Sequence, residues 1–458
     1  MGYVGFSLAY SNAIGVLLAG KNSSNWAKYL RPWVVLSWTF LTIGISLGSW
    51  WAYRELGWGG YWYWDPVENA SLMPWLFGTA LVHSLITTQR EKILESQSII
   101  ICLVTFILTM VGTFVVRSGA ITSVHSFATD PTRGIFILLI ISFLFLFGLF
   151  IYSLRAKKMR RSRKLKLLSG ASLILANIFL LITAGLIVVF GTLYPIFLEL
   201  FTGINISVGA PYYNTIISPI AIALVVLCIL GSQISWRTFK IKALLISNIA
   251  PLTLTFLLGS LIIFTFDIAS IAHIISIFAS TFLIVTIIEH NSKDFGRIEA
   301  RLLGVTLAHI GFGLLVLSIS VNSAAKEEHS FSLAPGESFV FKDYNIVFNS
   351  AYFIKGKNFV SKRADLSIDD RKYNDEITVV SPEIRFFPTE KQQTVESDSY
   401  HYPLYDLYFV MGDEFENKTT FKVFYQPFIG LLWLACFLIS IGGIFSIAYI
   451  ANRRIRIA

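Results

Sequence analysis

The sequence is poor in charge and in cysteine. Only 14% of its 458 residues are charged, against 55% hydrophobic. A soluble domain carries about 25% charged residues, so a single water-facing globule is excluded, and lipid must be part of its solvent. Its three cysteines, Cys102, Cys228 and Cys436, lie far apart in apolar runs. They form no CxxC pair and no disulfide framework. Acidic residues are also scarce, 28 against 37 basic, which leaves a formal charge of +9. The excess falls in short connectors between apolar runs, the pattern that orients membrane proteins and not one that binds nucleic acid.

Long apolar runs are what the chain does have. A helix crossing the bilayer core needs roughly 20 apolar residues, and about eleven runs qualify. They lie near 1–20, 34–52, 74–89, 97–116, 135–154, 171–192, 215–232, 243–264, 268–288, 303–321 and 428–450. With alternating runs, the basic connectors 21–31, 89–92, 155–166, 237–242, 293–301 and 453–456 share one side, the inside. The opposite side then receives 53–73, 117–134, 193–214 and a long polar stretch to 427. Alternating segments there, such as ESFVFKDYNIVF and YDLYFVMG, predict strands. The expected fold is an all-α polytopic membrane protein with a small extracytoplasmic β-rich domain. Its parts are a helical bundle over 1–320, the β-rich domain over 321–427, and a last helix with a basic tail over 428–458.

One outer segment, 58–75, reads WGGYWYWDPVENASLMPW. Trp58, Tyr61, Trp62, Tyr63, Trp64 and Trp75 crowd it with rings. The plain alternative is an aromatic belt at headgroup depth. A belt does not need Gly59 and Gly60, which let a flat object or another backbone approach closely. Nor does it need Asp65 and Glu68 among the rings. Broad faces with polar edges suit a planar aromatic ligand. Two roles stay open for Asp65 and Glu68. They orient or protonate a ligand beside Trp58, Trp62 and Trp64, or they cap a helix N-terminus.

Seven histidines are present. His83 and His309 fall inside apolar runs, where an ionisable side chain is costly and functional by default. The plain alternative is a pair of helix-packing hydrogen bonds. His273, His290, His329 and His401 show no partner spacing and read as structural.

The segment 58–75 resembles the tryptophan-rich WWD family of haem-handling proteins, and within it the CcmF branch. Asp65 to Ser71, DPVENAS, follow the CcmF version. Tyr61 and Tyr63 stand where Trp or Phe is more usual. Further similar stretches are MGYVGFS at the start, GTALVHS, RSGAITSVHSFATDPTRG, GTLYP, ISVGAPYYN, LAHIGFGL, SPEIRFFP and DLYFVMGDE. The resemblance implies a haem lyase of cytochrome c biogenesis, which attaches haem vinyl groups to the CxxCH thiols of apocytochrome c. His83 and His309 match the family's transmembrane ligands of a bis-His haem b. His125 matches one of two outer ligands to the transferred haem. The other belongs to an IHPP segment that precedes MGYVG in the family, so the N-terminal spans of a full-length member are expected outside this sequence. Arg117 and Arg133 flank the His125 loop as candidates for the haem propionates. Implied partners are a CcmE-type haem chaperone, apocytochrome c, and CcmH, CcmI and CcmG-type subunits. The implied place is a bacterial inner membrane with the site on the periplasmic face, ahead of a mitochondrial inner membrane. Two other classes compete. A haem transporter would show internal repeats, and none is evident. A non-catalytic haem-binding or scaffold subunit would need a separate N-terminal piece.

Overall fold

The computed structural model describes residues 1–20, 25–119, 131–155, 169–233, 248–292, 300–370, 377–389 and 391–455. His125 and most of the basic connectors lie outside the described residues. Eleven helices run among the described residues: α1 Gly2–Ala19, α2 Asn25–Glu55, α3 Pro66–Glu91, α4 Glu95–Arg117, α5 Pro131–Arg155, α6 Gly170–Thr202, α7 Ala210–Gln233, α8 Ile249–Thr265, α9 Ile271–Ser292, α10 Ala300–Ala325 and α11 Ile429–Ile455. Ten of them are long and apolar enough to cross a membrane, and α8, with 17 residues, is shorter. A multi-pass membrane fold follows.

Several boundaries differ from the sequence expectation: α2 begins at Asn25, not near 34, α6 runs to Thr202, not 192, and the start of α3 matters most for the outer segment. The third span was expected over 74–89, yet α3 begins at Pro66. Its first turn is polar and carries no apolar signal. It forms because Asp65 is the N-cap, Pro66 occupies the first helical position, and Glu68 completes a capping box. The segment 58–75 is therefore a loop followed by nearly three turns of helix.

α3 is the most buried of the candidate spans. It packs between α2, α4 and α6 around Met73, Phe77, Ala80, Leu81 and Leu85. The tightest helix pair is α10 with α11. A Cβ on Gly442 would lie 2.7 Å from the Gly304 carbonyl oxygen, so two glycines set that approach.

Between α10 and α11 lie ten strands. β1 Glu327–Leu333, β10 Lys418–Pro427, β9 Tyr405–Phe415 and β8 Asp398–His401 form one sheet in that order. β2 Ser338–Phe341, β3 Tyr344–Lys355, β4 Val360–Asp370, β6 Glu383–Phe387 and β7 Gln392–Glu396 form the other, with β5 Thr378–Val380 on β4. Every pairing is antiparallel, and Glu416 and Asn417, both with positive φ, turn β9 into β10. Phe331, Ile346, Phe348, Leu366, Leu407, Phe409 and Phe421 fill the space between the sheets. The outer side of β9 and β10 meets the bundle. Tyr408, Val410 and Phe424 pack there with Tyr53, Ile429 and Leu432.

Candidate functional site

The loop between α2 and α3 gathers most of the residues singled out by sequence. Trp64 adopts φ 59°, a conformation L-residues rarely take. Its indole stacks on Tyr213 of α7, with ring centres 4.6 Å apart and planes at 10°. Its Nε1 donates to Asn214 Oδ1 at 2.8 Å. Asn69, fully buried, donates to the Trp64 carbonyl at 3.0 Å. Trp62 stands edge-on to Trp64 at 6.0 Å. Trp58 stands edge-on to Tyr63 at 5.3 Å, and the Tyr63 hydroxyl donates to the Trp58 carbonyl. Trp58, Trp62 and Trp64 remain half-buried and Tyr63 exposed. Tyr61 turns inward onto Tyr53 and Phe424, and burial pushes its phenol up.

The carboxylates are tied to the backbone. Asp65 Oδ2 accepts from the Val67 N–H at 3.0 Å. Glu68 Oε2 accepts from the Asp65 N–H at 3.0 Å and the Tyr63 N–H at 2.9 Å. Of the two roles left open by sequence, capping is the one this geometry performs. The glycines also behave differently from expectation. Gly59 has φ 69°, and a Cβ there would lie 2.4 Å from the Phe424 ring. A Cβ on Gly60 would lie 2.6 Å from the Tyr63 hydroxyl. The close approach that these glycines permit is already taken by the protein's own rings, not left for a ligand.

His83 and His309 come together although 226 residues separate them, taking 309 minus 83. Their ring centres are 6.5 Å apart, with planes at 77°. His83 Nδ1 lies 2.8 Å from the Thr79 carbonyl, and His309 Nδ1 lies 2.8 Å from the Val305 carbonyl. A carbonyl only accepts, so each Nδ1 carries the hydrogen and Nε2 is the nitrogen left to ligate, while the Cys228 thiol is a further hydrogen-bond partner of His309. Two imidazoles on one metal place their ring centres about 6 Å apart, from a metal–nitrogen bond of about 2 Å. Distance and tautomer therefore both fit a bis-His haem. The backbones of α3 and α10 pack little against each other, which leaves the rings to bridge them. His273 donates or accepts nothing through its buried Nδ1 among the described residues.

Arg117 ends α4 and Arg133 lies in the first turn of α5, both exposed. The helix ends meet where Gly134 abuts Ser118, at 2.7 Å for a Cβ on that glycine. That brings the two arginines to the rim on either side of the stretch holding His125.

Sequence reading missed several contributors. Tyr213 and Asn214 were visible only as part of APYYN, with no role. His401 has partners after all: Nδ1 lies 3.0 Å from Asp406 Oδ1, and Arg54 Nη1 donates to Nε2 at 2.9 Å. Asp406, buried, also accepts from Tyr53 at 3.0 Å. The signal was a hairpin register that sets His401 opposite Asp406. Beside it, Glu396 meets Glu55, and burial with that neighbour raises its carboxyl to about 7, against the pull of Arg385.

Residues 1–122 match the Cytochrome C assembly protein family, and residues 324–427 match the CcmF C-terminal beta-sandwich. The chain is 36% identical over 469 residues to the cytochrome c-type biogenesis protein ccl1 of Rhodobacter capsulatus, covering 100% of this chain and 71% of that protein. It is 35% identical over 453 residues to the cytochrome c-type biogenesis protein CcmF of Escherichia coli, covering 97% and 69%. The chain belongs to the CcmF family of cytochrome c-type biogenesis proteins. The CcmF protein of Pseudomonas fluorescens is likewise 35% identical, over 97% of this chain and 69% of its own length. The fold agrees with a solved structure titled Cytochrome c Heme Lyase CcmF, at a TM-score of 0.80, with 24% identity, over 97% of this chain and 70% of that one. As a CcmF-family member, the chain is a multi-pass membrane protein of cytochrome c biogenesis.

Proposed function

We propose that this CcmF-family chain is the haem lyase component of cytochrome c maturation, with haem as substrate on the periplasmic face of a bacterial inner membrane. The observation that carries the reading is the aromatic loop. Its backbone is pinned and its tryptophans are half-buried, so flat faces stand ready where α2, α3, α7 and the β-sandwich meet. Trp58, Trp62 and Tyr63 bind the haem face, and Trp64 backs them through its stack on Tyr213. Asp65 and Glu68 hold the loop to the start of α3. Arg117 and Arg133 take the propionates, bidentate to each carboxylate, and His125 takes the iron. Haem comes from a CcmE-type chaperone. The CxxCH thiols come from apocytochrome c presented by CcmH, CcmI and CcmG-type subunits. Each thiol adds across one vinyl group: the S–H bond and the C=C π bond break, an S–C bond and a C–H bond form, and there is no net change in oxidation. The chain's contribution is positioning, which turns a bimolecular addition into a guided one.

His83 and His309 are the residues that would hold a resident haem b within the bundle. Bound there, haem supplies one-electron chemistry. Thr79 and Val305 fix the imidazole tautomers, and the apolar surround excludes water.

The test is thioether formation on a co-expressed apocytochrome c in cells that depend on this chain. Trp62→Ala and Trp64→Ala should abolish covalent haem staining while the protein accumulates normally in the membrane. Full staining in both variants would sink the assignment of the loop.

A further inference from the structure

The β-sandwich meets the aromatic loop at the Tyr61 ring and, through hydrogen bonds, at its backbone. The Gly59 carbonyl accepts two hydrogen bonds, from Lys326 Nζ at 2.5 Å and from Gln426 Nε2 at 2.6 Å. Gln426 is fully buried and is itself held, since Asn322 Nδ2 donates to its Oε1 and to the Pro427 carbonyl, each at 3.0 Å. The Phe424 ring lies under Gly59, and Lys326 Nζ lies 5.0 Å from that ring's centre. Gly57, with φ 64°, abuts Val395 of β7, and Ser397 Oγ donates to the Arg54 carbonyl at 2.8 Å. Ser49 Oγ of α2 donates to the Tyr61 carbonyl at 2.5 Å.

The backbone is thus fastened at 54, 57, 59 and 61, and at 63 through Glu68, and Trp58 and Trp62 stand between the fastened points. A free loop with glycines at 57, 59 and 60 would sample many shapes. Each would have to be given up when a ligand is bound.

We propose that Lys326, Gln426 and Phe424 are positioning residues, a clamp through which the β-sandwich fixes the loop 57–63 in its haem-binding shape. The inference rests on the haem reading of that loop given above. It assigns the sandwich a role in shaping the site. Lys326 directly follows α10, which carries His309, so one rigid helix connects the clamp to the histidine pair.

Lys326 is the residue to vary, because as a whole it is exposed and can be changed without opening the core. The full chain in detergent would be compared with Lys326→Met and Lys326→Arg. Two readouts apply: hydrogen exchange of the amides of 57–63, and titration with ferric haem of chain whose resident haem is already in place. Loss of one charged donor predicts about tenfold weaker haem binding and about tenfold faster exchange for Lys326→Met. Lys326→Arg should restore both, and the melting temperature of all three should agree. Unchanged exchange in Lys326→Met, failure of Lys326→Arg to rescue, or faster exchange with unchanged haem binding would each overturn the clamp. A Trp62→Ala control separates the two claims. If it binds haem as the parent does, the haem reading of the loop fails, while the exchange data still judge the fastening.

Discussion

Substitutions at Asp65 and Glu68 separate capping from catalysis. Asp65 satisfies two backbone N–H groups, that of Val67 at 3.0 Å and that of Glu68. Glu68 also satisfies two, those of Tyr63 and Asp65. Losing an N-cap side chain costs up to about 2 kcal/mol, and with two donors stripped that upper figure is the expected effect of Asp65→Ala. Glu68→Ala strips two donors at about 1 kcal/mol each. Tyr63 lies at the exposed rim, where water replaces part of its loss. A carboxylate at the positive end of a helix adds about 0.5 kcal/mol. Glu68→Ala should therefore cost about 2 kcal/mol, much as Asp65→Ala does. Asp65→Asn and Glu68→Gln keep an acceptor in each place, and Gln serves in a capping box as Glu does. Both amide variants should melt close to the parent and retain thioether formation. Thermal melting in detergent, read beside covalent haem staining, checks both. Full stability with abolished staining in Asp65→Asn or Glu68→Gln would refute the argument, because the negative charge itself would then be doing chemistry.

The Tyr213 stack gives a second expectation. Tyr213→Phe keeps the ring against Trp64 and should change little. Tyr213→Leu removes an aromatic pair of about 1 kcal/mol, and tryptophan fluorescence should shift as Trp64 gains solvent; no shift would contradict the stack. The Glu396 carboxyl gives a pH dependence. It is raised from 4.5 to about 7 in the folded protein, by burial first and then by Glu55. An acid with a raised folded pKa contributes stability that is complete below the unfolded value and lost as pH rises through the folded one. Stability attributable to this pair should fall between pH 4.5 and about 7. Glu396→Gln should flatten that slope, and a melting series from pH 5 to pH 8 with parallel curves would count against it.

The spans were legible because each needs only length and apolar content. The start of α3 was not, because DPVE is polar and its helix depends on a reciprocal cap that no apolar run reports. The strand YDLYFVMG was read from alternation, yet 406–411 are buried on both sides. Leu407, Phe409 and Met411 face the sandwich core, while Tyr408 and Val410 face the helix ends. The meeting of His83 with His309 could be inferred only from resemblance. Partners such as Trp64 with Asn214, 150 residues on, and Gly59 with Gln426, 367 residues on, are set by tertiary packing and leave no local pattern. At Gly59 the close approach is made by Phe424, a ring from the other end of the chain, and at Gly60 by Tyr63.

The most direct measurement is the absorption spectrum of the purified full chain in detergent, oxidised and reduced. It should be recorded beside His83→Ala, His309→Ala and, as a control, His273→Ala. The account predicts a b-type spectrum in the parent and the His273 variant, lost in both others, with all four showing the same circular dichroism. A well-folded parent that takes up no haem, or a b-type spectrum that survives in both His83→Ala and His309→Ala, would contradict it.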